Sequence, residues 1–394
     1  MNNQKPNTPS ALDIFTALAK GGAKPVSSAE ISSQKTVAKV PGKPPMVQQK
    51  TSTKIDGKEV SRNETSWPDY TVSGANRMTA VPDKTLIGTD KSKKPETPHQ
   101  LVIPTYLMNF PFTMDNREAN NAWMKGAEEE PINYDVAFSQ WLQLYNFLAA
   151  NALVYILPSA GNFQDLEYVA NLGIVLSHIK QPTAILSKFM SKPRMGEENV
   201  GKPFFDLMKY KTVMCPFGWE GEAELKHLHD NVYLGGYGQR STTQAFDWME
   251  KTFNMKIIQI KETDEHLYHV DCMVFPITRE KTLVCTELLK PSEVKAIESE
   301  TEIIDVSSKD AHNGITNCVR ARNMILCASE LPKMKETDKG YRDVRATVEK
   351  LTDICLDNAM EPVLFNLSEG EKSGAALSCL VMHLNRSSYD EPLI

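Results

Sequence analysis

The hydrophobic positions of this chain change character near residue 100. Beyond that point, short apolar runs alternate with longer segments in which apolar residues recur every three or four positions. The short runs are typical of buried strands and the longer segments of amphipathic helices. The clearest helical pattern is Tyr134–Asn151, where Val136, Trp141 and Leu148 belong to one apolar face. The alternation predicts an α/β fold for residues 101–394.

The predicted elements follow one another in a repeated strand–helix–strand order. This order suggests an internal repeat, although the units share no clear sequence identity. Strands are predicted at 101–104, 152–157, 172–176, 232–234, 256–259, 271–275, 282–285, 303–306, 324–327, 363–365 and 380–384. Helices are predicted at 134–151, 202–209, 242–253, 292–297 and 341–358.

Residues 1–100 are rich in Lys, Ser, Thr and Pro and hold 10 of the 23 prolines. Such a segment buries too little apolar surface to offset the entropy of ordering, so we expect a disordered tail. One short amphipathic helix is predicted near residues 10–20, where Ser10 caps a face formed by Leu12, Phe15 and Leu18. A helix of this kind serves either as a docking peptide for a protein partner or as a marginal helix without one.

Charge and cysteine content narrow the class of protein. Residues 1–100 carry 15 basic and 9 acidic side chains, whereas the rest carries 29 basic and 41 acidic ones. An acidic body argues against nucleic-acid binding and suits a cationic small molecule. Seven scattered cysteines without a Cys-x-x-Cys pair predict neither disulfides nor a zinc site. With no signal-like amino terminus and no apolar run long enough for a membrane span, we expect a soluble, cytoplasmic protein.

A lone thiol stands out near the end of the chain. Val363–Phe365 passes into a polar, glycine-bearing turn, after which Cys379 precedes a second apolar run. A residue at such a junction is held rigidly from both sides, as a nucleophile needs to be. Taken alone, the same pattern also fits a small buried cysteine without chemistry.

Other polar residues lie at comparable junctions. His269 and Asp271 are two positions apart and would share one face of a strand. A histidine and a carboxylate placed in this way form an acid–base unit or a shared polar site. Three further junctions present Asp165, Glu220 and Arg240.

Together these residues predict a pocket containing a thiol, a histidine, carboxylates and an arginine. Paired carboxylates match the face of a guanidinium group, and an arginine matches a carboxylate. The predicted ligand is therefore arginine-like, and the thiol next to its guanidinium carbon would be the nucleophile.

The chain resembles the dimethylarginine dimethylaminohydrolase and amidinotransferase branch of the guanidino-group-modifying enzymes, which have the pentein fold. The resemblance covers roughly residues 101–385 and rests on short boxes that occur in the order of the family. They are Gln164–Asn171, Phe189 through Arg194 to Glu197, Trp219–Gly221, Gly238–Ser241, Tyr268–Asp271, Gly314–Asn317 and Glu369–Leu380. The resemblance implies a pentein-type α/β propeller of five pseudo-symmetric strand–helix units behind the disordered tail.

The resemblance also implies roles for individual residues. Cys379 would attack the guanidinium carbon and form a covalent amidino-thiol intermediate, and His269 would protonate the departing amine and then activate water. Asp165, Glu220 and Asp271 would hold the guanidinium nitrogens. The remaining substrate-binding residues would be Arg194 and Arg240, which would hold the substrate carboxylate, together with Tyr168 and Asn171.

The main expectation is a hydrolase that converts the guanidino group of arginine or N-methylarginine into a ureido product, with no cofactor and no metal. Two alternatives stay open: an amidinotransferase in which an amine replaces water, and a non-catalytic docking protein of the same fold. The sequence departs from the family at Gln164, where a proline is usual, and at Ala375, where a glycine is usual. These departures affect the identity of the substrate more than the chemistry, and the oligomeric state is not readable from the sequence.

Overall fold

The structure is a computed structural model that describes residues 29–38, 46–55, 58–68, 97–125, 130–160 and 163–390. Contacts divide the chain into two compact units, residues 1–82 and residues 83–394. We describe each unit by itself. The predicted boundary between tail and body at residue 100 remains a prediction, and the helix predicted near residues 10–20 lies outside the described residues.

The first unit contains three antiparallel strands, β1 (Ala29–Ala38), β2 (Met46–Ile55) and β3 (Lys58–Pro68), with β2 in the middle. These strands lie within the segment for which the sequence predicts a tail. They contain Thr, Val and Ile residues, which favour extended backbone, among many polar ones. In the sequence, Asp56-Gly57 stands between β2 and β3, and this pair is a strong signal for a two-residue hairpin loop.

The second unit contains five three-stranded sheets that share one plan. In each sheet the first two strands are antiparallel and the third is parallel to the second. The strands are β4 (Thr105–Asn109), β5 (Leu153–Leu157), β6 (Gly173–Leu176), β7 (Thr183–Leu186), β8 (Lys211–Met214), β9 (Leu225–His229), β10 (Val232–Tyr237), β11 (Lys256–Lys261), β12 (Val274–Pro276), β13 (Lys281–Val284), β14 (Glu302–Asp305), β15 (Cys318–Ala321), β16 (Met324–Ala328), β17 (Glu361–Phe365) and β18 (Met382–His383).

A helix links the second and third strand of every sheet, because parallel strands need a long crossover connection. These helices are α1 (Tyr134–Asn151), α2 (Glu198–Leu207), α3 (Thr243–Phe253), α4 (Pro291–Glu298) and α6 (Tyr341–Asp357). The short helices α5 (Ser308–His312), α7 (Ser368–Glu371) and α8 (Ser387–Asp390) lie in the remaining connections. No helix among the described residues is long and apolar enough to cross a membrane.

The last sheet joins the two ends of the unit. Its order is β18–β4–β5, so the final strand pairs with the first strand of the body, with Met382 opposite Leu107. The unit therefore has five strand–helix modules and confirms the predicted pentein-type α/β fold. Four apolar clusters fill the space between sheets and helices.

One short turn precedes the first strand of each sheet, and we call these five turns the inner turns. Four contain 3₁₀ helices, at Val169–Leu172, Gly221–Ala223, Val270–Cys272 and Ser378–Leu380. The fifth is Gly314–Asn317, between α5 and β15. Because each inner turn holds the same place in its module, residues far apart in sequence converge on one region.

Two predicted strands are wrong in a way that matters for the site. Residues 101–104 are not a strand; β4 begins only after Pro104, which has no backbone N–H to contribute to a sheet. The strand predicted at 271–275 begins instead as a 3₁₀ turn and becomes extended only at Val274.

Candidate active site

A small cavity lies between three of the inner turns. Seven of the nine predicted site residues line it: Asp165, Tyr168, Asn171, Arg194, Arg240, His269 and Cys379. The other lining residues are Asn120, Asn121, Tyr268, Ser373 and Ala375. The cavity thus joins three inner turns and brings a thiol, an imidazole, a carboxylate and two guanidinium groups together.

Cys379 lies in the last inner turn, where the side-chain oxygen of Asn317 accepts a hydrogen bond from the Ser378 amide at 2.9 Å. The residue is 6% exposed. Burial, with a further contribution from the negative charge of Asp271, raises the pKa of the Cys379 thiol to about 12. At neutral pH Cys379 is therefore a thiol, and it needs a base or a cationic ligand to form the thiolate.

His269 pairs with Glu220 inside the protein. Its Nε2 atom donates to Oε2 of Glu220 at 2.9 Å, and both side chains are buried. Burial lowers the pKa of His269 despite this partner. Burial by itself would raise the pKa of Glu220, but the hydrogen bond with His269 and the charge of Arg240 hold that pKa at about 2. A neutral imidazole that donates from Nε2 has a free lone pair on Nδ1, so His269 is able to accept a proton.

The inner turn next to Glu220 depends on a glycine. Gly221 has φ of +65°, and a Cβ atom there would lie 2.4 Å from the carbonyl oxygen of Ala170. Only glycine fits this left-handed conformation at so close an approach. Gly221 therefore fixes the direction in which Glu220 reaches His269.

The two arginines are held by different partners. Arg194 donates through Nη2 to Glu197 at 2.7 Å and to the carbonyl oxygen of Asp165 at 3.1 Å. Arg240 contacts Oε1 of Glu220 at 3.5 Å, donates to the carbonyl oxygen of Asn120 and stacks over the ring of Tyr268. Both guanidinium groups line the cavity, and each is paired with a buried glutamate.

The cavity wall also offers polar atoms without a hydrogen-bond partner among the described residues. Asp165 accepts from Asn120 through one carboxylate oxygen, while its other oxygen has no hydrogen-bond partner among the described residues. Neither amide atom of Asn171 has such a partner, although the side chain is fully buried. Buried polar groups are rarely left unpaired without reason, so these atoms mark places where a ligand is received. Tyr168 instead hydrogen-bonds Ser373 through its hydroxyl group.

Glu220 and Asp271 do not line the cavity. Glu220 lies behind His269, as its hydrogen bond shows. Asp271 accepts from the Ser378 hydroxyl and lies 3.8 Å from Nζ of Lys226. The expected common face of His269 and Asp271 is wrong because residues two apart in a 3₁₀ turn point in different directions, unlike those in a strand. The assignment of Glu220 and Asp271 as groups that hold the guanidinium nitrogens has no support in this geometry.

Sequence reasoning missed Asn120, Asn121 and Ser373. Asn121 donates to the carbonyl oxygen of Ser373 at 2.9 Å, which ties the segment after β4 to the turn before Cys379. Two adjacent asparagines in a polar loop carry no local signal of their own. Among the described residues, no group of three or more His, Cys, Asp or Glu side chains is arranged to hold a metal ion.

The model of the eukaryotic N,N dimethylarginine dimethylhydrolase family matches residues 111–386. This range includes every predicted site residue. The chain belongs to this family. Membership confirms the resemblance that the sequence boxes indicated.

Proteins similar to this chain have the same fold. The bifunctional arginine dihydrolase/ornithine cyclodeaminase AgrE of Nostoc sp. is 25% identical over 73% of this chain and 38% of its own length. The chain spans less than two fifths of the length of such relatives. A solved structure of the N-terminal domain of the arginine dihydrolase ArgZ superposes with a TM-score of 0.62 at 22% identity, over 72% of this chain and 98% of that domain. A dimethylarginine dimethylaminohydrolase structure superposes with a TM-score of 0.54 at 13% identity, over 71% of this chain and 99% of its own.

Proposed function

We propose that this protein is a cysteine-dependent hydrolase of the guanidino group of arginine or an N-methylated arginine. The observation that carries the proposal is the composition of the small cavity. Cys379 and His269 line it together with Asp165, Arg194 and Arg240. One carboxylate oxygen of Asp165 and both amide atoms of Asn171 have no hydrogen-bond partner among the described residues. This lining combines a carboxylate with two arginines, which matches a substrate with a cationic guanidinium group and an anionic carboxylate.

The pKa shifts set the order of the first step. The Cys379 thiol is protonated at rest, and the neutral His269 is the base that removes its proton. A cationic guanidinium group next to the sulfur stabilises the thiolate, so activation follows substrate binding. Asp165 and Asn171 are the groups we assign to the guanidinium side, and Arg194 and Arg240 to the carboxylate side.

The sulfur then forms a bond to the guanidinium carbon, and the bond from this carbon to one terminal nitrogen breaks. His269 passes the thiol proton to the departing amine. Water, deprotonated by the same imidazole, attacks the amidino-thiol intermediate and releases the ureido product and the free thiol. Glu220 keeps the imidazole in one orientation throughout, and Tyr168 is assigned to the wall of the substrate site.

Two finer points belong to the same proposal. Amidino transfer uses the same residues, with an amine in place of water, and the entering nucleophile alone separates the two reactions. We also assign the activity to the cytoplasm, in keeping with seven cysteines that are all free thiols in the structure. We assign no metal or cofactor to either reaction.

The test is an assay for citrulline with the purified full chain and arginine, monomethylarginine and dimethylarginine as substrates. We expect ureido product from at least one of them. Cys379→Ser lowers kcat by about 10³-fold or more, because the covalent step is lost. Cys215→Ser is the matched control, since Cys215 is also buried but lies in a different apolar cluster.

Equal turnover by wild type and Cys379→Ser would contradict the assigned nucleophile. If citrulline does not form, the assay is repeated with glycine and other amines as acceptors. A guanidino product would then identify a transferase. Absence of both products would leave the docking role as the function of the fold.

A further inference from the structure

A second, larger cavity adjoins the proposed catalytic site. It offers about 210 Å³ of space, and Tyr268, His269, Ala375 and Cys379 line both cavities. Apolar side chains such as Ala311, Val344 and Ala376 form part of its remaining wall, and the carboxylates of Glu330 and Glu371 also line it. One water molecule needs only about 10–15 Å³ of such space, so the cavity has room for a ligand of many atoms.

The charged groups identify which end of a substrate each cavity receives. Arg194 and Arg240 line the small cavity and are not among the residues of the large one. The amino-acid part of an arginine-like substrate therefore belongs in the small cavity. The reacting carbon lies at the junction, next to Cys379 and within reach of His269.

The departing amine must also lie at this junction, because His269 gives it a proton. A substituent on that nitrogen would extend into the large cavity. Hydrogen bonds made by residues of the wall hold this space in shape. Tyr268 donates to the carbonyl oxygen of Gly374 at 2.7 Å, and Trp123 donates to that of His266 at 2.7 Å.

We propose that the large cavity is a binding subsite for an amine with an apolar substituent larger than a methyl group. This inference rests on the proposed function. The amine is either the leaving group of an N-substituted guanidine or, in the reverse sense, an acceptor that enters by the same path. In the leaving direction, the sulfur–carbon bond forms, the bond from carbon to the substituted nitrogen breaks, and the thiol proton reaches the amine through His269.

The first arm of the test measures kcat/KM for arginine and for its terminal N-methyl, N-propyl and N-hexyl derivatives, with citrulline and the released alkylamine as readouts. We expect the hexyl compound to stay within about tenfold of the methyl compound, because its chain finds apolar space. Val344→Phe narrows the large cavity from helix α6 and lowers kcat/KM for the hexyl compound by about tenfold or more. Its kcat/KM for arginine changes by less than about twofold, since arginine does not extend that far.

Val348→Phe is the matched control. It makes the same substitution one turn later on the same helix, at a residue that is also half-buried but lines neither cavity. We expect it to affect arginine and the hexyl compound equally. A steep loss of turnover beyond the methyl compound, or a Val344→Phe effect of the same size on arginine, would overturn the subsite.

A second arm separates this inference from the proposed function. Hexylamine is expected to slow the alkylation of Cys379 by iodoacetamide, followed at that peptide by mass spectrometry, and Val344→Phe removes this protection. If arginine is turned over but the hexyl compound is not, and hexylamine does not protect Cys379 from alkylation, the subsite alone is rejected. Absence of every ureido product would reject the proposed function, and absence of protection as well would then reject the subsite.

Discussion

Two buried Glu–His pairs start from the same inner turn, Gly221–Ala223: Glu220 directly precedes this turn and Glu222 lies within it. Glu220 meets His269 at 2.9 Å, and Glu222 meets His383 at 2.8 Å. In both pairs the carboxylate has a pKa of about 2 and burial lowers the pKa of the histidine. By distance, burial and protonation the two pairs are nearly the same, yet only one of them faces a cavity.

The surroundings make the difference. His269 lines both cavities together with Cys379. His383 lines neither; it packs against the ring of Tyr106, while Glu222 also accepts from Arg386 at 3.1 Å. A carboxylate–histidine pair is therefore not by itself a sign of catalysis. A nucleophile and an open space next to the imidazole turn such a pair into acid–base machinery, and otherwise the pair is a structural element of the core.

His269→Asn and His383→Asn test this difference most directly. His269→Asn removes the proton carrier and is expected to lower kcat by about 10²- to 10⁴-fold. Because its hydrogen bond to Glu220 is equally buried, we also expect the free energy of unfolding to fall by about 1–3 kcal/mol. His383→Asn is expected to leave kcat within about threefold of wild type and to lower the free energy of unfolding by about 1–3 kcal/mol, because a buried hydrogen bond is weakened. Citrulline release and urea denaturation supply the two readouts. If His383→Asn were the less active variant, the comparison would be wrong.

The variants Glu220→Gln and Glu222→Gln test the same comparison at the carboxylates of the two pairs. Glu222→Gln leaves the buried guanidinium of Arg386 without its anionic partner and is expected to cost about 3–5 kcal/mol of stability. Glu220→Gln acts through His269 as a positioning change, so we expect kcat to fall by about 10- to 100-fold with KM nearly constant. Circular dichroism melts and the pH profile of kcat check both. An unchanged pH profile in Glu220→Gln would argue against its role in setting the protonation of His269.

The repeating architecture was predictable because its elements are periodic and apolar. Helix α1 was predicted at its observed bounds. The first strands of two sheets, β9 and β15, were missed since they are short and break the pattern; β15, for example, contains the fully buried Arg320. The strands β1–β3 were not predicted either, because their composition is mostly polar.

The candidate site was predictable only where a residue type is chemically distinctive. Cys379, His269 and Arg240 stand out in any sequence. Asn120 does not, and its place at the cavity follows from contacts with Asp165 and Arg240, far away along the chain. The direction in which the Asp271 side chain points likewise depends on whether the local backbone is a strand or a 3₁₀ turn. The pattern of side chains alone does not decide between these two backbones.

The smallest expected effect concerns the third glutamate of this region, Glu224. Its partner is a second acid, Glu262, and both carboxyl groups are buried. Glu224 accepts from the Val270 amide at 3.2 Å and from the Ser241 hydroxyl at 3.1 Å, which ties the turns of His269 and Arg240 together. Two acids can share a hydrogen bond only if one is protonated. Burial raises the pKa of Glu262 from 4.5 to about 7, although its hydrogen bond with Glu224 lowers it, and burial together with Glu262 raises the pKa of Glu224 well above its usual value.

The sign of the pH effect follows from this shift. Between pH 4.5 and about 7 Glu262 holds a proton in the folded protein that it releases in the unfolded chain, so the contribution of Glu262 to stability is present below pH 4.5 and is lost as pH rises to about 7. Glu262→Gln keeps a hydrogen-bond donor without titrating. We expect it to remove a loss on the order of 2 kcal/mol between pH 5 and pH 8, measured by urea denaturation at each pH. Glu265→Gln is the control, because Glu265 lies near in sequence but is exposed. A Glu262→Gln variant with the same pH slope as wild type would mean that Glu224 and Glu262 do not share a proton, and that the third glutamate of this region, like the second, has only an ordinary structural partner.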